Sequence, residues 1–159
     1  MAAELIRQLL PEPSPKEILE SQILSDISHQ PYSLERPFRA PHHSVSTAGL
    51  VGGTRHATPG EISLAHNGIL FLDELPEFSL ATIEALRQPL ETGEIQVTRA
   101  EQSHVYPAKF QLVAAMNPCP CGFKDSIYNH CRCSTAALNR YDTKLSEPLL
   151  DRIDLYVQV

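Results

Sequence analysis

Two adjacent carboxylates, Asp73 and Glu74, follow four consecutive apolar residues, Ile69 to Leu72, in the stretch NGILFLDELPEF at 67–78. An apolar run without alternation is the pattern of a strand covered on both faces in a parallel sheet. Ligands of such sheets gather at the carboxyl ends of the strands. Acids in that place suit metal-assisted phosphoryl transfer. One carboxylate can offset the charge of Mg²⁺ through its water shell, and its neighbour can orient and deprotonate an attacking water. The plainer alternative is that the pair favours the start of a helix a few residues later, where acids meet the positive end of the helix dipole.

A second constellation consists of Cys119 and Cys121 in CPCG, then Cys131 and Cys133 in CRC, two C-x-C pairs nine residues apart. In a reducing compartment structural disulfides are disfavoured. Four thiolates at this spacing suit tetrahedral Zn²⁺, in a structural role because four protein ligands leave no open position. C-x-C is tighter than the usual C-x-x-C, His130 is an alternative ligand, and four reduced thiols in a loop is the plain reading. His42 and His43 are adjacent. On an extended strand neighbours point to opposite faces, so the two cannot easily share a metal, and structural hydrogen bonding is their expected role.

The elements that must position these groups are readable in outline. MAAELIRQLL has helical composition, with Leu5, Ile6, Leu9 and Leu10 apolar, but no capping residue at its start. Ser14, Pro15 and Glu17 form a helix start with a capping box, and the helix is expected to run to about Ile27. Residues 36–68 are rich in Gly, Pro, His and Ser and read as a strand followed by a long excursion. A helix is expected from Ser79, with Leu80, Ile83, Leu86 and Leu90 on one face and Gly93 as its stop. The alternation at Ile95, Val97 and toward Val105 predicts a hairpin with a polar tip near Arg99 to His104. FQLVAAMN at 110–117 reads as a second buried strand, and LYVQV at 155–159 as the start of a third. Alternating strands and helices make the class α/β with a mainly parallel sheet. Asn117 then stands at the end of one central strand, as Asp73 and Glu74 stand at the end of another.

The 159 residues suffice for one domain or part of one, and 42% hydrophobic with 20% charged residues is an ordinary globular composition. No apolar stretch reaches the ~20 residues of a membrane helix, and the N-terminus lacks the pattern of a secretory signal. A cytoplasmic protein without membrane contact is the expectation. A net charge of −6 excludes a surface that is a nucleic-acid footprint throughout, so any such contact must be local.

Several ordered blocks, RPFRAPHH, PGEISLAHNGILFLDELPEF, LRQPLETGEIQVTRA, FQLVAAMNPCPCG, CRC and LSEPLLDRIDL, together resemble the magnesium-chelatase-like AAA+ ATPases of the ComM/YifB competence-protein type. The likeness spans nearly the whole chain. The magnesium chelatase I subunit and the MCM helicases share the layout, and CPCG…CRC is most similar to the ComM/YifB group. The resemblance implies an AAA+ P-loop-type parallel sheet flanked by helices, with hairpin insertions. It implies that Asp73 and Glu74 are the Walker B pair, Asp73 on the Mg²⁺ of Mg-ATP and Glu74 activating water. It implies that Asn117 is sensor 1, placed to hold that water or the γ-phosphate, and that Arg152 is an arginine finger reaching into a neighbour's site. Taken alone, Asn117 before Pro118 could start a turn, and Arg152 could be an ordinary surface ion-pair residue. Segments 36–68 and 94–107 correspond by resemblance to two hairpins pointing into the pore of a homo-hexameric ring, where Arg99 and His104 are candidates for contact with DNA phosphates.

The departure from the pattern is a missing phosphate loop. G-x-x-x-x-G-K-[ST] supplies backbone N–H groups and a lysine to the phosphates, yet the seven glycines here include no Gly-Lys pair. Met1 is expected to lie just past that loop and the helical lid to follow Val159. Residues 1–159 then read as the central part of an AAA+ core without the Walker A loop and the C-terminal lid, from a truncation or a broken reading frame. Such an incomplete core is expected to bind ATP weakly or not at all, and to leave one sheet edge and some apolar surface uncovered. Three functions fit. One is a motor for DNA remodelling, branch migration in recombination of incoming DNA. The others are a chelatase motor acting on a porphyrin partner and a non-catalytic, zinc-stabilised interaction module.

Overall fold

The computed structural model describes residues 2–53, 57–99, 102–124, 126 and 128–158. Helix α1 spans Ala2–Leu9 and α2 spans Pro15–Ile27. The capping box that starts α2 is complete: the Ser14 N–H donates to the Glu17 carboxylate at 2.7 Å, and the Glu17 N–H donates to the Ser14 hydroxyl at 3.3 Å. These bonds hold the Glu17 carboxyl down at about 2, its acceptance of the Ser14 N–H being the largest cause and the Arg36 guanidinium the next.

A three-stranded parallel sheet carries the site. Its strands are β1 (Phe38–Arg39), β2 (Ile69–Leu72) and β5 (Gln111–Ala114), in the order β1-β2-β5. Phe38 pairs with Ile69, and Leu72 pairs with Ala114. Strand β2 lies in the middle, and three of its four residues are buried, as an apolar run without alternation requires. Gly68 opens it. A Cβ there would stand 2.0 Å from the carbonyl oxygen of Pro37, so only glycine lets the two chains approach closely enough for Ile69 N–H to reach that same oxygen.

Strand β5 is half-exposed, which corrects the expectation of a second buried strand. It pairs with β2 on one side and with no strand on the other among the described residues, which makes it an edge of the sheet. The expected strand at 155–159 does not form over its described part, 155–158: no ladder partner lies beside it, and Leu155, Tyr156 and Val157 are exposed. Val159 lies outside the described residues.

Between β1 and β2 the chain makes two short helices, α3 (Thr47–Val51) and α4 (Glu61–Leu64). The expected hairpin over 36–68 narrows to one antiparallel bridge, Gly52 to Pro59, between these helices; residues 54–56 lie outside the described ones. Arg39 and Glu61 make a two-armed ion pair at 2.6 and 2.8 Å that ties β1 to α4.

The single helix expected after Ser79 is two: α5 (Leu80–Glu84), capped by the Ser79 hydroxyl, and α6 (Arg87–Thr92). Pro89 is the reason. In one continuous helix its ring would press on the Ala85 carbonyl and remove a hydrogen bond. Leu80 faces solvent, while Ile83 and Leu86 are buried. Gly93 ends α6 in the left-handed region, at φ 70°, as expected.

The hairpin over 94–107 is present as β3 (Glu94–Arg99) and β4 (Gln102–Pro107). Two further helices, α7 (Thr135–Asp142) and α8 (Glu147–Leu150), follow the sheet. One apolar cluster joins Leu50, Ile62, Leu72, Ile83, Ile95 and Leu149, so helices, sheet and hairpin base share a single core.

Candidate functional site

Strand β2 ends at Leu72, and the next residues are Asp73 and Glu74, both exposed. Ala115 N–H donates to the Leu72 carbonyl at 2.9 Å, and Leu75 N–H donates to the Ala115 carbonyl at 3.0 Å. These two bonds lock the carboxyl ends of β2 and β5 together just where the acids leave one strand and Asn117 follows the other. The pair and Asn117 therefore share one rim of the sheet.

Glu74 adopts φ 53° and ψ 47°, the left-handed region that few residues other than glycine visit. It turns the chain abruptly from β2 into a 3₁₀ turn at Leu75–Glu77 and makes no side-chain cap to it. The side-chain cap of the next helix, α5, comes from Ser79 and not from either acid. Asp73 Oδ1 accepts the Glu74 N–H at 3.0 Å. Glu74 Oε2 lies 3.1 Å from His43 Nδ1.

His42 and His43 do not point apart as strand neighbours would. They lie in and beside a turn, with ring centroids 4.0 Å apart, and His43 meets Phe78 edge-on. His42 Nδ1 accepts the Ser44 N–H at 3.2 Å. The histidines, Ala40, Pro41, Phe71 and the two acids line a cleft of about 270 Å³. Hard oxygen donors on an open cleft wall are the donor set Mg²⁺ takes.

Sequence reading missed His43 as a partner of Glu74, because the two are brought together only by the parallel pairing of β1 and β2. It also passed over His66, which is buried at 3% exposure. His66 Nδ1 accepts the Lys109 N–H at 3.1 Å and Nε2 faces Glu20 at 3.3 Å. Burial lowers its pKa against the opposing pull of Glu20.

Arg152 has partners other than Asp73 and Glu74. Its guanidinium pairs with Glu91 of α6 at 2.8 Å and bonds the Pro148 carbonyl, so its ion-pair partner is neither Asp151 nor Asp154. On the hairpin, Arg99 forms the last described rung opposite Gln102, its side chain lying outside the described ones; residues 100–101 at the tip are likewise outside them. His104 pairs with Val97 within the ladder and is exposed, which corrects its expected place at the tip.

The four cysteines converge. Their Sγ atoms all lie within 4.8 Å of one another, with Cys119 3.4 Å from Cys121 and 3.7 Å from Cys131, and Cys121 3.6 Å from Cys131. Sulfurs around a tetrahedral ion at ~2.3 Å stand about 3.8 Å apart, so the cluster has the size of a metal site. His130 is exposed and outside the group. The backbone amides of Arg132 and Phe123 hold the Cys121 thiol down at about 6, while burial pushes Cys133 up to about 12. A metal ion bound there would stabilise all four sulfurs as thiolates.

A family model described as magnesium chelatase, subunit ChlI, matches residues 1–159. The uncharacterized protein YifB of Escherichia coli K12 is 50% identical over the whole chain, and competence protein ComM of Haemophilus influenzae is 48% identical over the whole chain. The chain spans about a third of the length of these curated relatives, 32% in each case. The magnesium-chelatase 67 kDa subunit of Chlorobaculum parvum is 32% identical over 71 residues, 45% of this chain and 12% of that subunit. The acid-tipped central strand, the parallel sheet flanked by helices and a family match over every residue lead to one assignment: the chain belongs to the magnesium chelatase ChlI family, with ComM and YifB.

Proposed function

We propose that residues 1–159 are the central part of an AAA+ ATPase core that couples ATP binding and hydrolysis to remodelling of DNA. The observation that carries this reading is the shared rim: Asp73, Glu74 and Asn117 leave adjacent parallel strands that are locked together at Leu72, Ala115 and Leu75. In this reading Asp73 holds Mg²⁺, which offsets phosphate charge when bound. Glu74 takes the proton of the attacking water, and Asn117 orients that water or the γ-phosphate. Arg152 serves the neighbouring subunit of a hexameric ring, in line with its pairing within this chain to Glu91 and not to Asp73 or Glu74. The phosphate-cradling backbone and its lysine come from the remainder of a longer protein, as the span of a third of the relatives suggests. In such a ring Arg99 and His104 on the hairpin contact DNA phosphates.

The DNA reading is supported by full coverage against a protein named for competence, compared with partial coverage against a chelatase subunit. That partial likeness keeps a chelatase motor as the second reading. In the complete protein, Glu74→Gln is expected to retain ATP binding and lower turnover by about a hundredfold or more, the usual worth of a general base. Unchanged turnover removes Glu74 from the chemistry. Stimulation by branched DNA supports the first reading, and stimulation only by a porphyrin-binding partner moves the assignment to the second.

The cysteine cluster, in the same proposal, holds Zn²⁺ as a structural ion. Its support is the sulfur geometry and a donor set of four soft ligands with no open position. One zinc per chain by metal analysis, lost in a Cys119→Ser variant, is the expected result.

A further inference from the structure

The zinc reading leaves open what the cluster does for the rest of the molecule. The answer lies in where its two ends lead. Cys119, fully buried, stands two residues after Asn117, which itself follows β5. Cys133 stands one residue before Ser134, whose hydroxyl caps α7 by accepting the Ala137 N–H at 3.2 Å. Helix α7 then runs back to the site. Tyr141, buried near its end, donates its hydroxyl to the Asn117 carbonyl at 3.0 Å. Just beyond the helix, Lys144 Nζ donates to the carbonyl of Pro76, two residues after Glu74. The path is a closed circuit from the rim to the cysteines, along α7, and back to both segments of the rim.

We propose that the cysteine cluster and α7 form one clamp that sets the backbone at Asn117 and behind Glu74, so that metal occupancy governs the geometry of the rim. The clamp has two fixed points. At one the four sulfurs, joined through the ion, hold residues 119–121 to 131–133. At the other the Tyr141 hydroxyl and the Lys144 ammonium hold the backbone carbonyls of Asn117 and Pro76. Without the ion, the two ends of the cysteine loop are no longer joined through sulfur, and α7 is held to the rim from its far end alone, through Tyr141 and Lys144. The start of α7 is then free to shift, and Tyr141 shifts with it. Most of the core cluster lies outside this circuit, at Leu50, Ile62, Leu72 and Ile83, and only Leu149 with the adjoining Leu145 comes from the segment beyond α7. Tyr141 is accordingly a positioning residue. It touches no reacting atom and acts through Asn117.

The clamp rests on the zinc reading, and amide hydrogen exchange in the full-length protein carrying this chain separates the two. Metal content is measured first; a protein that holds no zinc when purified and binds none on titration with zinc sulfate overturns both. With zinc bound, its removal by a chelator is expected to speed exchange at the Ala115 and Leu75 amides by about tenfold, the scale of one lost hydrogen bond. Exchange at Leu70 and Leu72 should not change. Tyr141→Phe, which removes the hydroxyl and keeps the ring, is expected to retain the zinc and speed the same two amides. Zinc present, with those amides indifferent both to its removal and to Tyr141→Phe, overturns the clamp and leaves the zinc reading standing.

Discussion

Glu74 occupies a backbone conformation that costs free energy for a side chain of its size, and such conformations persist where surrounding structure overrides them. Here the bond from Leu75 N–H to Ala115 fixes the next residue, and His43 fixes the carboxylate. The acids themselves were legible in sequence, because an apolar run ending in charge is a local pattern. The histidine contact was not, since it joins residues 31 apart in sequence across two strands. His66 makes a separate prediction. Its folded pKa is lowered from 6.5, so the unfolded chain takes up a proton that the folded chain resists. Its contribution to stability is complete above 6.5 and falls as pH drops through that value toward the folded pKa. Urea midpoints measured between about pH 7 and 5 should decline with acid, and His66→Gln should flatten part of that decline. A decline of equal slope in both proteins removes His66 from the effect.

At the scale of elements, two small substitutions should differ in cost for a stated reason. Ser14→Ala removes an exposed cap and should cost about 1 kcal/mol. Gly68→Ala places a Cβ 2.0 Å from the Pro37 carbonyl oxygen, where neither strand can yield without breaking its register. That change should cost about 3 kcal/mol, at the upper end of overpacking penalties. Denaturant unfolding of the two variants checks the order, and equal costs would mean that β1 yields to the new methyl. The capping box of α2 and the glycine stop of α6 were readable because each is a rule about a few neighbouring residues. The division of α5 from α6 was also present in the sequence, at Pro89, but the apolar spacing of Leu80, Ile83, Leu86 and Leu90 pointed to one continuous face.

For the whole molecule, the proposed ring makes Arg152 and Glu74 parts of one site supplied by two chains. Arg152 bonds only at the surface here, so Arg152→Ala should leave the fold intact, changing stability by less than ~1 kcal/mol. Complete proteins carrying Arg152→Ala or Glu74→Gln should each lack turnover, yet mixing them should restore part of it, because some interfaces then combine an intact Glu74 with an intact Arg152. No restoration on mixing, with subunit exchange shown independently, places the arginine outside the neighbour's site. The acidic net charge of −6 is compatible with a DNA contact only if the cations are local and repeated around the ring.

The order of strand and helix, the acids at a strand end, the hairpin and the helix caps were written in the chain as periodicity, composition and short-range turn chemistry. Those signals survive in one dimension because they depend on neighbours within a few residues. Tertiary structure alone decided that β5 is a half-exposed edge, that 155–158 forms no strand, and that the second histidine faces the second acid. It alone brought α7 back from the cysteines, whose grouping the spacing had already pointed to, to Asn117. Each of these depends on which surface lies beside which. A strand exists by its partner, burial by what covers it, and a metal site by four side chains meeting at one point.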